Sequence, residues 1–212
     1  DVPNLSTSLY FVVNDSFYLK ALPQAHLPEG VIVDSLSRVA AKKPDFIARY
    51  YSKIASTDED AITALNTMLV QDGLLVYVPK NVKVDRAIQV INILRSDVDL
   101  MVNRRVLIIL EEGAEAKFLF CDHSADDRNF LSTQVIEAYV GENANLELNC
   151  LEETHLKNTR VSNVYIQQQA NSSVNHNVIT LHNGVTRNRL DLVFEGEGAE
   201  CHCNGCVIAD KN

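Results

Sequence analysis

Glu112-Gly113-Ala114-Glu115, Glu142-Asn143-Ala144-Asn145, Ala170-Asn171-Ser172-Ser173 and Glu197-Gly198-Ala199-Glu200 are four small-residue corners that punctuate the chain between Val106 and Ile208. Counted from the third residue of each, the intervals are 30 (Ala114 to Ala144), 28 (Ala144 to Ser172) and 27 (Ser172 to Ala199). A nearly fixed period in this range marks a solenoid, in which each unit buries its apolar face only by stacking on the next. Short runs with partial alternation flank the corners, among them Val135 to Tyr139, Leu146 to Leu148, Val161 to Ile166 and Leu190 to Phe194. They are too short and too β-branched for useful helices. The corners need tight bends and positive φ, which Gly and Asn supply at least steric cost. A four-unit β-solenoid with about two strands per turn follows; corner spacing alone leaves an antiparallel sandwich of hairpins open.

Upstream, strands are expected at Leu74 to Val78, closed by Pro79-Lys80, and at Ala87 to Leu94, while the apolar run Val106 to Leu110 suits burial on both faces. Asp97 to Arg105 reads as a connecting loop. The first part of the chain mixes elements. A hairpin pairs Ser8 to Val13 with Ser16 to Ala21 around Asn14-Asp15, Pro23 to Gly30 is a loop, and Val31 to Val33 is a short strand. One helix starts with Asp34 or Ser35 as N-cap and stops before Pro44, which opens a second whose apolar face carries Phe46, Ile47, Tyr50, Tyr51 and Ile54. Ser56-Thr57-Asp58-Glu59 is read as the capping box of a third, with Ile62, Leu65 and Leu69 as its apolar stripe and Asp72-Gly73 as its end. Residues 1–73 form a small N-terminal α+β cap over the end of the solenoid, and residues 74–212 its core, incomplete at the C-terminal end.

With 212 residues the chain can bury a sizeable core, and its 28 acidic against 19 basic residues give a net charge of -9. Its longest basic runs are Lys42-Lys43 and Arg104-Arg105, which excludes the concentrated cationic surface that nucleic acid requires. The apolar runs are far shorter than a membrane span. Five cysteines, an odd number in a chain of this size, fit reduced thiols in the cytoplasm better than a disulfide scaffold.

Cys201-His202-Cys203 with Cys206 is the densest group of soft ligands, and these three cysteines are the metal-ligand candidates. Thiols at i and i+2 share one face of a strand, and Cys206 is expected to return across a bend at Asn204-Gly205. A zinc or iron–sulfur site normally takes four ligands, and burial of free cysteine accounts for the same residues. His176 and His182, with Asn175, Asn177 and Asn183, make a polar stripe in the third unit. Cys121 and His123 are spaced to share a face as a thiol–imidazole pair. Glu111, Glu112, Glu142, Glu147, Glu152 and Glu153 are acids near corners; a pair of them could serve glycoside hydrolysis, and solvated corners predict the same residues. Neither GxxxxGK[ST] nor GxGxxG is present. No catalytic or cofactor-binding residue is assigned.

The run Ala64-Leu65-Asn66-Thr67, Asp72-Gly73 and Val76-Tyr77-Val78-Pro79-Lys80 resembles the helix-to-strand junction of the SufB/SufD family of iron–sulfur cluster assembly proteins. Arg105 to Ala114 resembles that family's lead into its β-helix, and Gly141-Glu142-Asn143-Ala144 and Leu190 to Ala199 its repeated corners. Leu27-Pro28-Glu29-Gly30-Val31 is closer to the SufD branch. The resemblance implies a mainly β protein with a right-handed parallel β-helix core, part of a non-catalytic scaffold subunit. It further implies pairing with a SufB-like paralogue and a SufC-like ATPase, in a complex that assembles an iron–sulfur cluster transiently. The family's interface cysteine and histidine, and the helices that grip the ATPase, fall beyond Asn212. Rival readings are a β-helix carbohydrate-active enzyme and a passive β-solenoid interaction module, with a homodimer through the open end as a further partner state.

Overall fold

A computed structural model of the chain describes residues 6–18, 27–181 and 184–208. The parts of the expected hairpin and loop that fall on residues 19–26, together with His182 and Asn183, lie outside the described residues. In order the elements are β1 (Ser8–Val13), β2 (Ser16–Phe17), β3 (Ile32–Ser35), α1 (Leu36–Lys42), α2 (Pro44–Ala48), α3 (Ala61–Leu69), β4 (Leu74–Val78) and β5 (Ile88–Leu94). They continue with β6 (Leu100–Leu110), β7 (Glu115–Ser124), β8 (Phe130–Val140), β9 (Asn145–Glu152), β10 (Asn158–Gln168), β11 (Ser173–Thr180), β12 (Val185–Phe194) and β13 (Glu200–Val207). One sheet has the order β13-β11-β9-β7-β5-β1-β2, the other β12-β10-β8-β6-β4-β3. From β4 onward every pairing is parallel and joins a strand to the next-but-one in sequence, so the chain coils as a parallel β-helix of about five turns. A sandwich of hairpins would pair neighbours antiparallel, and among the described strands only β1–β2 and β3–β4 do so.

The corners stack as a column. Asn81, Gly113, Asn143, Asn171 and Gly198 have φ of 60, 67, 56, 53 and 70°. The amides of the first four donate to Glu112, Glu142, Ala170 and Glu197 carbonyls of the following coil at 2.8, 2.8, 3.0 and 2.9 Å. There is therefore one corner more than the sequence reading counted: Asn81, just after Pro79-Lys80, opens the series. At Gly113 the missing side chain is required twice over, by the left-handed φ and because a Cβ would stand 2.3 Å from Asn81 Oδ1.

Alternation puts Leu74, Val76, Val106, Ile108, Ile136, Val164, Ile88, Val90, Phe118, Phe120, Leu146 and Leu148 into one core inside the coil. Phe118 and Phe120 stack with ring centroids 6.1 Å apart. The other parity of the same strands, Leu75, Leu107 and Ile109, packs under Leu36, Val39 and Ile47 of the helices, so Val106 to Leu110 is buried on both faces as its composition requires. The helical layer consequently lies along the flank of the β6–β8 sheet rather than over the end of the solenoid.

Four local expectations change. The second helix stops at Ala48, so Tyr50, Tyr51 and Ile54 lie in the turns that follow it rather than on its face. The stretch Asp97 to Arg105 is a loop only to Asp99; from Leu100 it is β6, and its two arginines are buried rather than solvated. The third helix is capped by Asp60, whose carboxylate accepts from the Thr63 amide at 2.9 Å, not by Ser56. Its buried face is polar, Thr63 and Asn66, while Ile62 and Leu65 are half-buried and Leu69 is exposed. The reason lies in the sheet beneath it: Asn66 donates to the Arg104 carbonyl at 3.0 Å and to Thr133 Oγ1 at 2.9 Å, and Thr63 Oγ1 accepts from Asn163 at 2.9 Å. The first helix starts after Ser35 as read, with Ser35 Oγ accepting from Arg38 N.

Candidate functional site

Register fixes what each coil presents to the lumen. On one sheet the inward columns read Ala116–Leu146–Val174–Cys201, Phe118–Leu148–His176–Cys203, Phe120–Cys150–Val178–Gly205 and Asn92–Asp122–Glu152–Thr180. Two of the apolar columns thus turn to thiol and imidazole toward the last coil, and the fourth is polar throughout. Facing that column, the other sheet supplies Arg104, Gln134, Ser162 and Asn188 in one row and Arg160 in the next.

These groups form a buried chain of alternating charge. Arg104 Nη1 donates to Asp122 Oδ1 at 3.2 Å and Arg160 Nε to Asp122 Oδ2 at 2.7 Å, and Arg160 Nη1 stands 2.7 Å from Glu152 Oε1. Asn92 donates to Asp122 at 2.8 Å, and Thr180 and Asn188 donate to Glu152 at 2.6 and 3.0 Å. Burial by itself raises the Asp122 carboxyl, but Arg160 and Arg104 reverse this and hold it below the usual carboxylate value. Burial likewise lowers Arg160, and the Asp122 and Glu152 carboxylates more than restore it. Charge is balanced pair by pair, which is the condition under which ions persist in a low-dielectric interior.

Beside this chain lies a cavity of about 310 Å³, lined by Cys150, Glu152, Ser162, His176, Asn188 and Cys203 among others. Gly205 leaves room there, with nothing within 4 Å of where a Cβ would stand. Burial pushes the Cys150 thiol up to about 12 and lowers His176, whose Nδ1 faces the Leu148 carbonyl at 3.3 Å. Cys201 and Cys203 do share the lumen face of β13, with Sγ atoms 3.5 Å apart. Burial first, then the hydrogen bond and charge of Cys203, push Cys201 up to about 12. Cys206 is not brought to them by a bend. Asn204 and Gly205 remain in β13, aligned with Asn177 and Val178, so Cys206 sits at the opposite parity beside Ile179. Among the described residues no three His, Cys, Asp or Glu side chains are grouped to hold a metal ion.

The remaining sequence candidates separate. His176 faces the lumen, whereas Asn177 belongs to an outer ladder in which Asn204 donates to Asn177 at 2.9 Å and Asn177 to Asn149 at 2.8 Å. The Cys121 thiol is raised by burial and accepts from Gln89 at 3.9 Å. Glu112 pairs with Lys80 at 2.6 Å and Glu147 with Lys117 at 3.4 Å on the surface. Glu152 is no corner residue; it is inside, committed to Arg160. Asp122, Arg104, Arg160 and Asn188 were not singled out from sequence. Their signal was the coil period itself, since Asn92, Asp122, Glu152 and Thr180 follow one another at 30, 30 and 28 residues.

Comparison with known proteins joins this geometry to a family. Residues 1–90 match the SufBD protein N-terminal region, and residues 92–212, which contain β6 to β13, match the SufBD core domain of the SUF system for FeS cluster assembly. An iron–sulfur cluster assembly SufBD family protein of Arabidopsis thaliana is 31% identical over 119 residues, 56% of this chain and 25% of the relative. Iron–sulfur cluster assembly protein SufD of Bacillus subtilis is 28% identical over 134 residues, 63% of this chain and 29% of the relative. A SufBD family protein of Synechocystis is 31% identical over 120 residues, 56% and 25% respectively. The chain thus spans about a quarter of the length of these relatives. Since the core-domain match runs over more than half of the chain, and over the coils that carry the lumen, this protein belongs to the SufBD family.

Proposed function

We propose that the chain is part of a SufD-like, non-catalytic scaffold subunit of an iron–sulfur cluster assembly complex, in which it pairs with a SufB-like subunit and serves a SufC-like ATPase. The observation that carries this reading is the match of the SufBD core domain to residues 92–212, the stretch that holds β6 to β13. The relative of Bacillus subtilis named SufD supports the branch. The physics of the coil agrees with a positioning role. Its interior carboxylates are engaged by arginines, and Arg105 Nη2 donates to Glu137 Oε2 at 2.6 Å with both side chains fully buried, fastening the helical layer to the sheet. Such a body places partner surfaces at fixed separations. The cluster is cargo of the complex, and ATPase contacts are assigned to parts of the protein outside this stretch.

We place the protein in the cytoplasm. All five cysteines are free thiols in the structure, as a reducing compartment requires, and no described helix is long and apolar enough to cross a membrane. The test is anaerobic affinity purification of the full-length protein from its own cells. Copurification of an ATPase subunit and a paralogous β-helix protein, with iron and sulfide, is the expected result. Recovery of the protein alone, without ATPase, iron or sulfide, would overturn the reading.

A further inference from the structure

We propose that α3, with its cap residue Asp60, is a polar latch that ties four successive coils together and opens as a unit while the coils stay folded. In a solenoid each coil meets only its neighbours. α3 departs from this, because its sheet-facing residues reach β6, β8, β10 and β12 in turn. Arg105 on β6 donates to Thr67 Oγ1 at 2.9 Å, and Asn66 donates to Thr133 Oγ1 on β8 at 2.9 Å. Thr63 Oγ1 lies 2.8 Å from Tyr165 Oη on β10 and accepts from Asn163 of the same strand at 2.9 Å. Asp60 accepts from Asn163 at 2.8 Å and from Arg189 on β12 at 3.0 Å, with Arg187 of that strand 3.7 Å away. Three helical residues rise about 4.5 Å and neighbouring strands lie about 4.8 Å apart, so a polar residue at every third position meets one strand after another.

The contacts that hold α3 are ones that water can replace. Its buried side chains are Thr63 and Asn66, and they meet the sheet through hydrogen bonds. α1 and α2 dock differently, through Leu36, Val39 and Ile47 on Leu75, Leu107 and Ile109. Lifting those two helices exposes apolar surface, whereas lifting α3 returns donors and acceptors to a solvent that pairs them again, at a small net cost per bond. The joints stand on either side of the helix. Before it, the Ala55 amide is held by Glu137; after it, Asp72 accepts from Ser35, Ser37 and Phe17. Residues 56–59 and Val70-Gln71 connect these anchors to α3 without being helix or strand. No strand pairing passes through α3, so the ladders survive its departure. Asp60 is the catch: one carboxylate caps the helix at the Thr63 amide and takes donors from β10 and β12. Opening bares Thr133 and Asn163 on the outer face of the sheet and releases the coil of β12 from that of β6.

The test is hydrogen–deuterium exchange of the full-length protein, read by mass spectrometry of fragments that cover α3, β8 and β10. The α3 amides should exchange together, at least tenfold faster than those of β8 and β10 yet slower than an unprotected chain, the pattern of a local opening short of unfolding. Asp60→Asn keeps a good helix cap and removes the charge that Arg187 and Arg189 meet. It should speed exchange in α3 about tenfold and leave β8 and β10 as they were. Should Asp60→Asn not fold, Arg189→Gln, which leaves the cap untouched, decides alone by the same comparison. Exchange of α3 at the rate of β8 and β10, exchange at the unprotected rate, or a deciding variant that leaves α3 unmoved or speeds the strands equally would each overturn the proposal.

Discussion

Replacing Glu137 by alanine removes the acceptor for three donors at once. Its carboxylate takes Arg105 Nη2 at 2.6 Å, the Ser52 amide at 2.9 Å and the Ala55 amide at 3.2 Å, all in the seam between β8 and the chain that follows α2. Arg105 keeps Thr67 Oγ1 and Ser52 Oγ, each at 2.9 Å, and the face of Tyr51 at 4.5 Å, but its charge is left uncompensated in a site with no solvent exposure. Breaking such a pair costs about 3–5 kcal/mol. Each orphaned amide adds about 1–3 kcal/mol if the seam stays closed, so undocking of the helical layer, which rehydrates all of them, sets the ceiling. The chain has no tryptophan, and Tyr50, Tyr51, Tyr77 and Tyr139 line this seam, so tyrosine fluorescence reports docking while far-UV circular dichroism follows the coils. In urea the fluorescence midpoint of Glu137→Ala should fall by about 1–3 M, ahead of the dichroism. A loss under about 1 kcal/mol, with both midpoints moving together, would refute the argument and reduce the pair to the worth of an exposed one.

Gly113→Ala should cost about 1–3 kcal/mol, since alanine is strained at φ 67° and its Cβ meets Asn81 Oδ1; thermal melts should show that adding Asn81→Ala recovers the clash but not the φ strain. Phe118→Ala, at a fully buried ring stacked on Phe120, should lose about 3–5 kcal/mol in equilibrium unfolding. Asp122 has its folded value depressed by Arg160 and Arg104, so its contribution is fully present above the unfolded value of about 4 and disappears as pH falls through the folded value. His176, also depressed, withdraws stability in the same direction, starting below about 6.5. Melting temperature should therefore fall on acidification from pH 7 to 3, with the steepest part removed in Asp122→Asn.

The corners were legible because their chemistry is local: a residue that must hold positive φ is Gly or Asn wherever it stands, and the interval between such residues is a coil. Asn81 escaped because Pro79-Lys80 already explained a strand end, so the bend after it was charged to proline. The lumen was less legible for a different reason. A strand residue's face depends on its parity, and parity is fixed only when neighbouring coils are in register. Arg104-Arg105 looks like a solvated basic pair until β6 is paired with β8; then one arginine points inward to Asp122 and the other outward to Glu137. Cys206 fails by the same rule, three residues from Cys203 and so on the other face. In α3 the apolar stripe misled because the sheet beneath it is polar at Thr133 and Asn163.

That opposed pair of arginines also supplies what the apolar pattern of β6 lacks. In most strands a slip by one residue exchanges apolar for polar side chains and is rejected. In β6 it would exchange Val106, Ile108 and Leu110 for Leu107 and Ile109, one buried apolar set for another, at little hydrophobic cost. Arg104 and Arg105 break the degeneracy, because a slip one way puts Val106 where Arg105 meets Glu137, and a slip the other way puts Asn103 where Arg104 meets Asp122 and carries Arg104 out of the lumen to the Glu137 side. Each uncompensated ion costs several kcal/mol, enough to select a single register. Replacing both pairs by apolar residues (Arg104→Met, Asp122→Leu, Arg105→Met, Glu137→Leu) should therefore leave a folded coil whose β6 amides appear more than once in a two-dimensional NMR spectrum. A single sharp set of β6 signals would mean that the corners alone hold the register, and that the buried charges are not needed for it.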